Sequence, residues 1–500
     1  MFDNQTFQKL VEAGNLTGEV VASNSFIVEV KGLEGVRLGA QVLFEDGQRG
    51  IVREANGDQV ILFNINSEKL LPGTLAVVDN DLLQVPVGSE LIGRVVTPMG
   101  DPIDGKGPIT AKQRSGIFNI APGIMARSVL NQQLPSGVAA VDMFFPIVLG
   151  QRIAILGDSK SGKSTFLSQL SASQDGTDRV VVYVLIGKRK VDIENLLSGL
   201  QTSGAMDHTI VVLADIFESL TQSYLAPYAA CAMGEYLWQN GRDVILIYDD
   251  LSSHAEAYRQ LSLLQEIDPG RDSYPGDMFY AHSRLLERAG NFVTPTGSNS
   301  ITCLAAAETI ESDISGYIQT NLMSITDGHI YFDHELFEQG RRPPVNYFLS
   351  VTRVGRQTQT KVRWGINREL SSFMTLYEKT QRFIHFGAEI NDGIRITLGM
   401  GLRLLAFFDQ PMGKVVHSHV QVYLFCLIWV GAIVDDSPTK IRLLSEKATL
   451  LYETDTSFRN KIDALIKDSS DFNILLGKVG AQSKDLLKPL EVALPKKYAQ

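Results

Sequence analysis

Apolar and polar residues alternate along this chain with a period that changes twice. From Leu16 to about Pro86, valine- and isoleucine-rich runs (Val20-Val21, Phe26 to Val30, Val42-Leu43-Phe44, Val60 to Phe63) are separated by Gly, Asn and Asp turns. Strands this short and this regularly broken predict a small all-β sandwich or barrel. A Gly/Pro/Asp-rich passage from Pro98 to Pro108 follows and reads as the entry to a second domain. Between about residues 135 and 360 the runs become continuous, as in Arg152 to Leu156, Val180 to Ile186, Thr209 to Leu213 and Val244 to Tyr248. Continuous apolar strands are buried on both faces, so the alternation with helix-like stretches predicts a parallel sheet covered by helices. Beyond about residue 365 the strand pattern fades, and Glu369 to Phe386 and Leu444 to Leu465 carry helical spacing. The expected plan is multidomain α/β: a β-barrel over 1–90, a nucleotide-type sheet domain over 91–360 and a helical bundle over 361–500.

Composition narrows the class. At 500 residues, 44% hydrophobic and 20% charged, the chain has material for several ordinary globular cores. A net charge of -10 and a pI near 5.4 argue against a nucleic-acid surface. The three cysteines, Cys231, Cys303 and Cys426, are too far apart for a disulfide framework or a metal knuckle, which implies a reducing, cytoplasmic setting. Met1 to Gly14 lacks the apolar core of a secretory signal. The longest apolar run, Val422 to Val434, falls short of the roughly twenty residues that span a bilayer and reads as a buried helix. The histidines show no metal spacing; His417 and His419 are two apart, wrong for one helix face.

The sharpest chemical signal is Gly157-Asp158-Ser159-Lys160-Ser161-Gly162-Lys163-Ser164, between an apolar strand and the helix-like Thr165-Phe166-Leu167. It matches the phosphate-binding loop G-x-x-x-x-G-K-[ST] in its required strand–loop–helix context. Glycines let backbone N–H groups turn toward phosphate oxygens, and the helix start adds its positive end. Lys163 is then expected to meet the β and γ phosphates, and the Ser164 hydroxyl to ligate Mg²⁺. A second run, Val244 to Tyr248, ends in Asp249-Asp250. A carboxylate at a strand's C-terminal end can hold the water shell of Mg²⁺, and Asp249 directly follows the run; the alternative is an aspartate at an ordinary strand exit.

With these residues in place, further segments resemble the alpha subunit of F-type ATP synthases, in order and spacing. They include Cys231-Ala-Met-Gly-Glu-Tyr236, Tyr248-Asp-Asp-Leu-Ser252, Tyr274-Pro-Gly-Asp277, Ser324-Ile-Thr-Asp-Gly328 and Arg353-Val-Gly355. The resemblance runs from the barrel to at least residue 360 and rests on helical character beyond. It implies an N-terminal β-barrel, a central RecA-like domain binding ATP or ADP, and a C-terminal α-helical bundle. It also implies a six-membered ring in which such subunits alternate with catalytic beta-type subunits around a gamma-type shaft, at the inner face of the cell membrane or on cell-surface machinery. On the same basis Arg353 is the arginine presented to the neighbouring catalytic site, with a salt-bridging role and the nearby Arg356 as alternatives. Arg342-Pro343 and Gln410 are expected at the adenine end, although Arg342 could equally cap a loop carbonyl.

Three departures from the family pattern matter. Catalytic relatives carry a glutamate after the glycine that ends the strand following the P-loop helix; here Gly187 is followed by Lys188. A cation cannot accept a proton from the attacking water, though it can contact phosphate, so the chain is expected to be non-catalytic. Pro411-Met412 follow Gln410 where further glutamine is expected. The helix that binds the delta subunit and peripheral stalk reads as absent or truncated, which suggests a hydrolysing motor like the divergent ATPases of wall-less bacteria (mycoplasmas), some of which serve gliding. Rival readings are a homohexameric secretion or flagellar export ATPase, which needs glutamate at Lys188, a Rho-like helicase, which needs an RNA-binding barrel, and a ring member that binds no nucleotide.

Overall fold

The computed structural model describes residues 4–66, 68–215, 219–295, 297–385, 392–434 and 437–491. They form two compact units: Met1–Val129, Leu149–Ser159 and Asp175–Asp327 make the first, and Leu130–Val148, Lys160–Gln174 and Gly328–Gln500 the second.

The first unit opens with a helix, Asn4–Glu12, whose Phe7 packs with Leu10, Leu43 and Val77. A closed six-stranded barrel follows: β1 (Thr17–Ser23), β2 (Ile27–Lys31), β3 (Gln41–Phe44), β4 (Arg49–Asn56), β5 (Gln59–Asn64) and β6 (Leu75–Asn80), in the order 1-2-5-4-3-6. Alternate residues such as Val28, Val30, Val42, Phe44, Val60 and Leu62 point inward and make its core. Gly18 is needed where strands close in, because a Cβ there would lie 2.4 Å from the Lys31 carbonyl oxygen.

The same unit holds the parallel sheet. Its strands are β7 (Val95–Val96), β8 (Arg152–Asp158), β9 (Val180–Lys188), β10 (Thr209–Asp215), β11 (Val244–Asp249), β12 (Gly290–Thr294) and β13 (Gly297–Thr309). The order is 8-13-11-9-10-7, every one of these pairings is parallel, and β12 pairs antiparallel with β13. Helices Leu220–Gln239 and Leu251–Leu264 pack against the sheet, which explains why β9 and β11 are apolar at nearly every position. Buried charge is paired: Arg288 holds Glu235 through Nε and Nη2 at 2.6 and 2.7 Å and donates to the Ile117 carbonyl. Barrel and sheet share a polar contact in which Arg53 donates to the Tyr258 hydroxyl at 2.7 Å and that hydroxyl donates to Asp277 at 2.6 Å.

The second unit contains the helix Lys163–Ala172 and the C-terminal helices Lys361–His385, Asp392–Phe408, Ser418–Trp429, Pro438–Thr454, Thr456–Lys467, Phe472–Ala481 and Ser483–Glu491. Of the apolar run from Val422 to Val434, Val422 to Ile428 are the buried core of the helix Ser418–Trp429, while the rest lies at or past its end and Val434 is exposed. The expected single segment from Leu444 to Leu465 is two helices. Asp455 separates them with an extended backbone, and its carboxylate accepts from the N–H groups of Ser457 and Phe458 to start the second. Barrel, parallel sheet and C-terminal helices are thus the architecture that the period of the apolar pattern predicts.

Candidate functional site

The strands that end at the C-terminal edge of the first unit's sheet carry its chemistry, as expected for an open α/β sheet. β8 ends in Gly157-Asp158, where the phosphate-loop motif begins. Asp158 faces β13: its carboxylate accepts from the Thr309 hydroxyl and from the Ser312 N–H at 3.0 Å. Ser159 is exposed, and the motif passes into the second unit at Lys160, which has a φ of 61°. Gly162, at φ 98°, caps the helix Lys163–Ala172 from the left-handed region that glycine adopts without strain. Lys163 is buried at the helix start, with Ser164 and Thr165 half-buried after it. The Ser161 hydroxyl is fully buried without a hydrogen-bond partner among the described residues, an unmet donor inside a loop built for oxyanions.

At the ends of β9 and β11 stand the two residues singled out for opposite reasons. The Lys188 ammonium lies 2.9 Å from Asp249 Oδ1, and the aspartate is only 1% exposed. Tyr183, in the middle of β9, donates its hydroxyl to Asp249 Oδ2 at 3.0 Å. Parallel pairing sets Leu185 beside Asp249, and a bulge at Gly187, φ 64°, re-aims the residue after it. Burial alone would lower the Lys188 pKa, but the Asp249 and Asp250 carboxylates outweigh it and hold the ammonium above its ordinary value. Tyr183 is pushed well upward by burial and by Asp249, so it stays a neutral donor. Asp250 caps the next helix by accepting from Ser252 N at 2.7 Å. Tyr183 escaped the sequence reading because one polar tip inside a valine-rich strand carries no motif.

The second unit brings most of the remaining residues together. Gly162, Thr165, Arg342, Pro343, Gln410 and Met412 line one small cleft of about 40 Å³. Polar groups there are largely engaged by backbone. Gln410 accepts from Ala139 N at 3.1 Å and donates to the Gly137 carbonyl at 2.7 Å and to that of Lys414. Arg342 Nη1 donates to the carbonyls of Phe337 and Arg341, both at 2.7 Å, and the guanidinium lies 3.6 Å from the centre of the Phe337 ring. Arg342 therefore caps loop carbonyls, and it and Gln410 offer the cleft a wall more than free hydrogen bonds.

Arg353 follows the short strand Val351–Thr352, which pairs with Gly328–Phe332, and its side chain is exposed. Burial lowers the His329 pKa, and the nearby Arg353 charge lowers it further. The side chain of Arg356 lies outside the described residues. Among the described residues no group of three or more His, Cys, Asp or Glu side chains is placed to hold a metal, and no helix is long and apolar enough to cross a membrane.

Comparison with known proteins places this geometry. The model of the ATP synthase alpha/beta family, nucleotide-binding domain, matches residues 137–352. ATP synthase subunit alpha of Aquifex aeolicus (strain VF5) is 38% identical over 429 residues, covering 85% of each chain. The chain belongs to the ATP synthase alpha subunit family. ATP synthase subunit alpha of Clostridium kluyveri (strain NBRC 12016) is 37% identical over 421 residues, covering 84% of this chain and 83% of that protein. Nucleotide binding follows for this alpha-type chain from the family domain itself. The Lys188–Asp249 pair therefore sits at the C-terminal edge of the sheet of a nucleotide-binding fold.

Proposed function

We propose that this chain is a non-catalytic ATP- or ADP-binding subunit of an alternating F-type rotary ring, with beta-type catalytic neighbours and a gamma-type shaft. The observation that carries this reading is the position after Gly187: hydrolysis needs an acceptor to orient water, and an ion-paired ammonium cannot be one. Phosphate would be held by the loop from Gly157 to Thr165, with Lys163 on the β and γ oxygens. The cleft of Arg342, Pro343 and Gln410 would take the adenine by contact. Arg353 reaches solvent in the single chain, as a residue serving a neighbour must. A guanidinium on the neighbour's γ-phosphate neutralises charge spreading in the transition state, worth on the order of 10³- to 10⁵-fold in rate. The ring acts as a hydrolysis-driven motor attached at the inner face of the membrane or to surface machinery, such as a gliding motor.

The test is native mass, bound nucleotide and turnover of the chain alone and after mixing with its beta-type partner. Expected are bound nucleotide without turnover alone, and turnover in the mixture that collapses in Arg353→Ala. A self-assembled hexamer that hydrolyses ATP unaided would overturn the proposal in favour of the export-ATPase type.

A further inference from the structure

The cleft lined by Gly162, Arg342 and Gln410 lies wholly within the second unit. A site selects one base over another by keeping a buried donor or acceptor that only the right edge satisfies, because the wrong base then strands that group. Here such groups are already met. The Gln410 carboxamide accepts from Ala139 N and donates to the Gly137 and Lys414 carbonyls. Those carbonyls are filled in turn, since Gly137 O also accepts from Val416 N at 3.0 Å and Lys414 O from Gln169 Nε2. The Phe337 carbonyl takes both Arg342 Nη1 and Gly340 N. A carbonyl oxygen has two lone pairs, so none of the three has one left for a base. Arg342 keeps its Nε and Nη2 donors, but a donor-only group finds the N7 acceptor on adenine and guanine alike. The remaining walls, Phe166, Phe337, Pro343, Pro344 and Met412, are apolar and make contact without hydrogen-bond direction. Met412, 69% exposed, is the adaptable side chain that a ring entering this small cleft displaces.

We propose that this cleft does not distinguish one purine from another, so that the chain holds ATP, GTP and ITP with closely similar affinity and recognition falls to the triphosphate. One carboxamide acceptor is left among the described lining residues, Gln169 Oε1, and the hypoxanthine of ITP, which lacks an exocyclic amine, reports on it. The inference rests on the nucleotide-binding reading above, and the two fail in different ways.

The full chain, stripped of nucleotide, is titrated with ATP, with GTP and with ITP in separate calorimetric experiments in one magnesium buffer. The three dissociation constants are expected to lie within about threefold of one another. A preference for ATP over GTP beyond that range overturns the inference and leaves the nucleotide-binding reading intact. ITP falling behind the other two by more than that also overturns it, because Gln169 then reads the exocyclic amine. Absence of binding with all three nucleotides overturns the nucleotide reading itself.

Discussion

Two buried acids of the first unit are held by cations, and one of the second by neutral hydrogen-bond donors. In the first, Glu235 is held by the two-pronged Arg288 and Asp249 by Lys188. In the second, Asp142 is fully buried and accepts from Ser136 N and Oγ, both at 2.8 Å, and from Gln421 Nε2 at 2.9 Å. Burial raises the Asp142 pKa, and the three hydrogen bonds and the nearby Arg363 charge only oppose that rise. Neutral dipoles thus leave an acid easier to protonate, while a buried guanidinium or ammonium fixes charge in place.

Breaking the first arrangement is expected to cost most. Arg288→Met strands Glu235 in a dry site, and urea unfolding should show a loss of about 3–5 kcal/mol. Converting both partners, Arg288→Met with Glu235→Leu, should recover much of it. Next comes a pH effect in the first unit. His254, fully buried between His282 at 3.2 Å and the Tyr224 carbonyl at 3.1 Å, is lowered from 6.5 to about 4 by burial, with the Tyr224 bond opposing. A depressed folded pKa gives stability that is complete above the ordinary value and lost as pH falls through the folded one. Unfolding between pH 6.5 and 4 should therefore show a decline on the order of 3 kcal/mol that His254→Phe reduces, the buried His282, also held well below 6.5, keeping the rest.

The second unit is expected to respond more weakly and with the opposite sign. Asp142→Ala leaves two donors of Ser136 and one of Gln421 without an acceptor and should cost about 1–3 kcal/mol in the same unfolding assay. Because the folded Asp142 pKa is raised, its contribution is complete below the ordinary carboxylate value and is lost as pH rises through the raised one. Asp142→Asn should remove that slope, and a slope that persists in it would assign the effect elsewhere. Smallest is the helix break: Asp455→Ala removes the cap of the helix Thr456–Lys467 and should cost about 1 kcal/mol, read as a shift in Tm.

Sequence alone determined the barrel, the parallel sheet, the C-terminal helices and the phosphate loop, because each is written in a short-range pattern: period-two runs, unbroken apolar strands, helical spacing, and glycines at fixed offsets. That a lysine follows Gly187 was likewise legible without any coordinates. Sequence could not show that Lys188 pairs with Asp249. That contact joins residues far apart in the chain and depends on the parallel register of β9 against β11 and on the bulge at Gly187. Likewise the sequence left Arg342 between the adenine end and a loop-carbonyl cap, and only the folded loops decided for the carbonyls that it and Gln410 meet. Local backbone preferences are set by neighbours in sequence. Which donor meets which acceptor is set by packing, where most buried polar groups take a partner that the fold brings near.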